Sequence, residues 1–281
     1  MSAQEGVGKS SNYFSELLAL TRRSATRLVR PPSQPWRDQA TRRLARQVWL
    51  LTAVFGASVI VLMAAVDVTE IGLMPSRGTA GLWPVGILTD FGKAANVLWS
   101  LAMLLLAIAL VAPALRGRRR SRLLEWGTRL QFMFFAVLVP VLTGEVIKWI
   151  VGRGRPFVGG AANAFNFSPF ATTNAYASFP SAHAITACAL AFAVSVLWPR
   201  ARAAMMTYAV LIAASRLVLL AHHPSDVVAG ALIGLVVAML VRYWFAARGL
   251  GFAIERDGAI VPVAGHPFGH LKGVAREAPA P

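Results

Sequence analysis

PSAHAITACALAFAVSVLW, residues 180–198, decides how the chain is read. A proline, a serine and a histidine stand at the mouth of an apolar run long enough to cross the hydrocarbon core of a bilayer. Two other stretches share this layout. Lys148 through Arg155-Pro156 closes one apolar run, and Ser215-Arg216 through His222 and Asp226 joins two more. Ionisable groups in or beside such runs are costly to bury, so they mark function by default.

Composition places these runs in a membrane protein. The 281 residues are 56% hydrophobic and 14% charged, with mean hydropathy +0.57, too apolar for a soluble globule. The formal charge of +16 is not a nucleic-acid footprint. The arginines stand in short clusters beside apolar runs, as topology signals and anionic-lipid contacts do. The one cysteine, Cys188, lies inside an apolar run, which excludes a disulfide framework and a cysteine zinc site.

Six spans follow from hydropathy, at about 48–66, 94–115, 131–151, 181–198, 203–221 and 226–245. Their short links predict an all-α, six-span transmembrane helix bundle over 47–248. Before it lies a basic arm, 1–46, carrying Arg22, Arg23, Arg27, Arg30, Arg42, Arg43 and Arg46. The arm is read either as resting on anionic lipid or as a partly disordered tail, with short amphipathic helices over 13–20 and 37–46. Pro31, Pro32 and Pro35 interrupt anything longer, and the arm is too long for a secretory signal. After the bundle comes a tail, 249–281. In it Glu255-Arg256-Asp257-Gly258 predicts a small hairpin turn, residues 275–281 read as disordered, and His266 and His270 read as ordinary surface histidines.

Charge orients the bundle. The arm, Arg116 to Arg122, Arg200 with Arg202, and the region after Arg242 fall on one side, and an even number of spans demands that arrangement. Both termini are then cytoplasmic, and the links 67–93, 152–180 and 222–225 face the periplasm or exterior of an inner membrane. All three polar stretches open on that face. Gly230 and Gly234, a small-xxx-small pair, predict close helix packing within the chain.

The chemistry starts with cations. Lys148 and Arg155 flank the third span, and Arg216 lies inside the fifth among leucines. Snorkelling accounts for the first two taken singly, and a structural pair with Glu145 or Asp226 accounts for Arg216. Three together at one face suit a phosphate, whose oxygens match guanidinium forks. The first turn at Ser181, Ala182 and His183 offers unpaired N–H groups to an anion. Asp226, in the first turn of the sixth span, reads as a helix cap and as a carboxylate reaching back to His222. Two histidines facing such a pocket suit covalent phosphoryl transfer. Arg153 reads as an exposed surface arginine, with a second phosphate as the other use.

The order and spacing of Lys148-(six)-Arg155-Pro156, Pro180-Ser181-Ala182-His183 and Ser215-Arg216-(five)-His222-(three)-Asp226 resemble the three-part signature of the type-2 phosphatidic acid phosphatase and haloperoxidase superfamily. The Gly-Arg-Gly-Arg-Pro form is similar to bacterial integral-membrane lipid phosphatases, lipid A phosphatases among them. The resemblance implies that His222 is the nucleophile, oriented by Asp226, and that His183 protonates the leaving group. Lys148, Arg155, Ser181, Ala182 and Arg216 then hold the phosphoryl oxygens. It implies no metal and no other cofactor, the cations supplying the charge. One departure stands out: Ala182 occupies the position where the family usually has glycine.

The expected activity is hydrolysis of a phosphate or pyrophosphate on a membrane lipid: lipid A, polyprenyl pyrophosphate, phosphatidylglycerol phosphate or phosphatidate. A lipid phosphotransferase using the same site, and a non-catalytic binder or transporter of anionic lipid, are the alternatives. Binding alone needs no nucleophile paired with a carboxylate.

Overall fold

A computed structural model describes residues 13–76, 78–160 and 162–263. His266, His270 and residues 275–281 lie outside the described residues. The elements run α1 (Tyr13–Val29), α2 (Arg37–Ala65), α3 (Asp67–Leu73), α4 (Trp83–Asp90), α5 (Ala94–Val111), α6 (Gly117–Val151), α7 (Ala182–Leu197), α8 (Arg202–Val218) and α9 (Pro224–Ala247). A two-stranded antiparallel hairpin follows, β1 (Phe252–Ile254) and β2 (Ile260–Pro262). Among the described residues the fold is helical apart from this hairpin and an isolated bridge, Arg153 to Phe167. The turn expected at Glu255 to Gly258 closes with Gly258 N–H donating to the Glu255 carbonyl at 3.0 Å.

Five helical stretches are long and apolar enough to cross a membrane: Arg37–Ala65, Ala80–Ala114, Gly117–Val151, Pro199–Val218 and Pro224–Ala247. The sixth apolar helix, α7, has 16 residues, about 24 Å at 1.5 Å per residue. Large apolar side chains such as Trp49, Ile60, Trp99, Leu142 and Val146 point outward, as they do where lipid is the solvent. The chain is thus a multi-pass, helical membrane bundle. The basic arm folds into α1 and the start of α2, with the proline-rich link between them docked on the end of α9, where Ser33 N–H donates to the Ala247 carbonyl at 3.0 Å.

At the centre stand α7 and α9. α9 packs on α2, α6 and α7, while α7 packs on α6, α8 and α9. In α7, Ala184, Ala187, Ala189, Ala191 and Ala193 are buried, and in α9 Gly230 and Gly234 face them. A Cβ on Gly230 would stand 2.6 Å from the Ser181 carbonyl oxygen, and one on Gly234 2.6 Å from that of Ile185. Neither space admits a methyl group. Small residues therefore bring the two helix mouths side by side, which is the packing expected of that glycine pair.

The bundle has two unlike ends. One gathers α1, the start of α6, the end of α9 and the hairpin, tied by Tyr13 Oη to the Leu110 carbonyl (2.6 Å), Arg120 to Glu16 (3.2 Å) and Arg43 to Asp257 (2.9 Å). The other gathers the mouths of α7 and α9, the α4–α5 turn and the long link after α6. Gly152, with φ +56°, ends α6 in the left-handed region, which favours glycine. The link then folds back on itself, with Ser168 N–H on the Gly152 carbonyl (2.7 Å) and Ser178 N–H on that of Arg153 (3.0 Å).

Candidate active site

Every predicted site residue stands at that second end. Ser181 is the N-cap of α7, yet its hydroxyl makes no capping bond to the helix. The first-turn N–H groups of Ala182 and His183 have no intrahelical acceptor by geometry. Among the described residues, Ser181 Oγ, His183 Nε2 and Arg216 Nε are buried at this mouth without a hydrogen-bond partner, and His223 Nε2 is so at the neighbouring start of α9. Buried polar atoms are normally satisfied, so orphans grouped at one mouth call for a ligand.

Cations surround that mouth. Arg216, Lys148, Lys93 and Arg155 all lie within electrostatic reach of the His183 imidazole. Arg216 Nη1 donates to Thr89 Oγ1 at 2.7 Å, so it pairs with neither Glu145 nor Asp226, the two partners considered from sequence. Glu145 instead holds Lys148 at 2.5 Å. Arg155 Nε donates to the Asn174 carbonyl at 3.0 Å. Lys93, which sequence reading left in the link, pairs with Asp90 at 2.7 Å at the turn beside His183. There the Cβ of a residue replacing Gly92 would come within 3.4 Å of His183 Cδ2. Ala182 begins α7 in a helical conformation, which alanine adopts without cost.

The α9 mouth is built differently. His222 is buried, and its Nδ1 lies 2.7 Å from the Ser178 carbonyl. A carbonyl only accepts, so Nδ1 carries the proton and Nε2 keeps the lone pair. Burial pushes the His222 pKa down to about 3, with Arg216 and Arg155 lowering it further, against the raising effects of Asp226 and the Ser178 bond. The ring is therefore neutral at neutral pH.

Asp226 reaches back to within 3.9 Å of His222 Nδ1 through Oδ2, within ion-pair range of a charged ring and beyond hydrogen-bond distance. That oxygen accepts from Ser178 Oγ (2.6 Å), His223 N–H (2.8 Å) and His223 Nδ1 (3.1 Å). The cap reading of Asp226 is thus realised, and the carboxylate reaches His222 through Ser178. One residue accepts from the imidazole with its carbonyl and donates to the carboxylate with its hydroxyl.

Arg153 overturns both of its sequence readings. It is 0% exposed, and its five N–H donors are all taken. Nε and one Nη2 hydrogen meet the Ala164 carbonyl at 3.1 and 2.7 Å, and the other Nη2 hydrogen meets Asp67 Oδ2 at 2.8 Å. The two on Nη1 meet Ser225 Oγ at 2.7 Å and Asp226 Oδ1 at 2.6 Å. No donor is left for a phosphate. Asp67, from the first turn of α3, accepts from Ser225 N–H at 3.0 Å and Ser225 Oγ at 2.5 Å, filling the α9 N-terminus with a carboxylate. Asp67 follows an apolar run directly, so the rule that flagged Lys148 and Arg216 also flags it. Ser178 carries no such signal.

Comparisons with known proteins bear on the family of the chain. The PAP2 superfamily model covers residues 129–250. The lipid A 1-phosphatase of Rhizobium johnstonii is 31% identical over 175 residues, 61% of this chain and 71% of that protein. The lipid A 1-phosphatase of Rhizobium etli is 35% identical over 127 residues, 45% of this chain and 55% of that one. The crystal structure of a transmembrane PAP2 type phosphatidylglycerolphosphate phosphatase from Bacillus subtilis aligns at 17% identity with a TM-score of 0.44, over 68% of this chain and 93% of that one, too distant a match to argue from. The ordered motifs, their meeting at one end of the bundle and the first of these relatives lead to one statement: the chain belongs to the PAP2 superfamily, as a membrane phosphoric-ester hydrolase of the lipid-phosphate type.

Proposed function

We propose that this protein removes a phosphate group from a membrane lipid through a phosphohistidine on His222, without a metal ion. The observation that carries the reading is the set of orphaned polar atoms at the α7 mouth, Ser181 Oγ, His183 Nε2 and Arg216 Nε, beside a neutral, buried His222. The phosphoryl group lies on the first turn of α7, its oxygens taken by Ser181, the N–H groups of Ala182 and His183, and Arg216, Arg155 and Lys148. His222 Nε2 attacks phosphorus, the phosphorus–oxygen bond to the lipid breaks, and His183 gives its proton to the departing oxygen. The bound phosphate dianion favours the protonated form of His183. Water then attacks the phosphohistidine, His183 takes the proton, and phosphate leaves with His222 restored. Charge stabilisation comes from the cations, and a pocket faced by four of them repels a divalent metal.

The named activity of the Rhizobium relatives favours a lipid A phosphate as substrate over polyprenyl pyrophosphate, phosphatidylglycerol phosphate or phosphatidate. We place the site on the periplasmic or outer face. The arginine clusters hold the basic end, and with it both termini, in the cytoplasm, and α7 supplies the sixth crossing. The catalytic domain is then 47–248, between the basic arm and the tail.

The test is phosphate release by purified protein in detergent with EDTA, across a panel of lipid phosphates and pyrophosphates. Turnover in EDTA is expected, with radiolabelled phosphate trapped on the wild type and absent from His222→Ala. Normal turnover by His222→Ala sinks the mechanism. Label passing to a second lipid in preference to water makes the protein a phosphotransferase, and binding without turnover makes it a carrier. A reporter after Arg202 that proves extracytoplasmic overturns the orientation.

A further inference from the structure

The link between α6 and α7 is built inside out. At its bridge to Arg153 the chain runs Phe165, Asn166, Phe167, Ser168, and extended side chains point to opposite faces in turn. Phe165 and Phe167 are exposed, 61% and 40%, while Asn166 and Ser168 are half-buried. Asn166 Nδ2 donates to the Val158 carbonyl at 2.8 Å. A segment with one face in water alternates the other way, with polar residues outward and apolar ones inward.

The neighbouring surface fixes the solvent of these rings. Phe170, also exposed, stands edge-on to Trp149 with ring centroids 5.0 Å apart, and its N–H donates to the Trp149 carbonyl at 2.7 Å. Trp149 belongs to the outward face of α6, with Leu142, Val146 and Ile150 at helical spacing. α6 is long and apolar enough to cross a membrane, so this face meets acyl chains. Through Trp149 the same surface passes onto the link. Phe170 also holds left-handed backbone, φ +63°, a conformation that bulky residues avoid and asparagine accepts. A phenylalanine kept there against that preference marks a position where the ring itself is needed.

We propose that Phe165, Phe167 and Phe170 seat the link in the acyl chains of the leaflet at the catalytic end, and hold the tail of a lipid substrate while its head group enters the α7 mouth. The same segment carries the Ala164 carbonyl, which accepts two bonds from Arg153, so the lipid seat is joined to the network around Asp226. Contact with the leaflet goes beyond the catalytic reading, and the hold on the substrate tail rests on that reading.

The test places nitroxide labels at Phe165→Cys and Phe170→Cys in the full chain carrying Cys188→Ala, in phosphatidylcholine vesicles. Collision is measured with oxygen, which concentrates in hydrocarbon, and with a water-soluble nickel chelate. Labels at Val146→Cys on the outer face of α6 and Arg256→Cys on the exposed hairpin turn give the lipid and water references. Both link labels are expected to match Val146. Nickel access like that of Arg256 overturns the seat. Labels that neither reagent reaches are covered by protein, a second copy of the chain included, and overturn it too. The second arm compares dioleoyl phosphatidate in vesicles with dihexanoyl phosphatidate in solution. Phe165→Ser/Phe170→Asn, whose asparagine keeps the left-handed backbone, is expected to lose about tenfold in kcat/KM on the dioleoyl lipid, the order of one ring's burial, and to keep its rate on the dihexanoyl one. Equal losses on both substrates, or none on either, overturn the hold on the tail. A wild type that turns over neither sinks the catalytic reading, and the labels still decide the contact with the leaflet.

Discussion

The mouths of α7 and α9 lie side by side and share a Pro-Ser pair, Pro180-Ser181 just before the first turn of α7 and Pro224-Ser225 inside that of α9, yet they are opposites. Ser225 is bound on every side: its N–H and hydroxyl meet Asp67, and its Oγ also accepts from Arg153. Ser181 Oγ meets nothing among the described residues. Each helix start presents unpaired N–H groups and a positive dipole end to an anion. At α9 the chain supplies the anions itself, Asp67 and Asp226. At α7 none of the described residues supplies one. Two similar sequences thus become a sealed mouth that holds machinery and an open mouth that receives a phosphate.

The largest way to break the contrast is to unseal α9. Arg153→Met leaves two buried carboxylates without their cation, a change that costs about 3–5 kcal/mol. Thermal unfolding in detergent should fall steeply, and phosphate release should be lost even where the protein remains folded. A variant with normal Tm and turnover would show that the network holds nothing. Ser181→Ala acts on the open mouth, so it should leave Tm unchanged and cut turnover by roughly 10²-fold, the usual effect of removing one oxyanion donor. An equal loss of Tm would make Ser181 a structural serine like Ser225.

The pH dependence probes the buried imidazole beside these mouths. Folding holds His222 neutral, with its pKa pushed down to about 3, against about 6.5 in an unfolded chain. The unfolded state therefore binds the extra proton first. Its contribution to stability is whole above roughly pH 6.5 and is lost toward pH 3, by up to about 1.4 kcal/mol per unit. Tm of His222→Gln, which lacks this group, should gain on the wild type as pH falls through that window. Parallel curves would mean that His222 is not buried neutral. The acid limb of wild-type turnover should likewise lie below 6.5.

Much of the site was legible because its signals are local. Lys148, Arg155, Ser181, His183, Arg216, His222 and Asp226 stand at fixed spacings beside apolar runs, and a charge there is anomalous whatever surrounds it. The hairpin after Leu250 was legible from a turn of four residues. Arg153 was misread because burial is not local. It sits two residues from Arg155 in a glycine-rich stretch that looks solvated, and its partners come from Asp67 and Asp226, 86 and 73 residues away. The bridge between His222 and Asp226 was not legible for the same reason, since Ser178 enters from a link with no periodicity.

The sequence by itself determined the class of the molecule and which residues meet at one end, because hydropathy and motif spacing act along the chain. The helices at Arg37–Ala65, Ala80–Ala114 and Gly117–Val151, by contrast, begin well before the apolar runs that marked them. Only the tertiary structure decided which mouth stays open. That depends on Asp67, 158 residues before Ser225, arriving at the start of α9, and on the absence of any such carboxylate among the described residues at Ser181. A helix N-terminus attracts an anion wherever it lies, and packing decides whether that anion is the chain's own carboxylate or a substrate's phosphate.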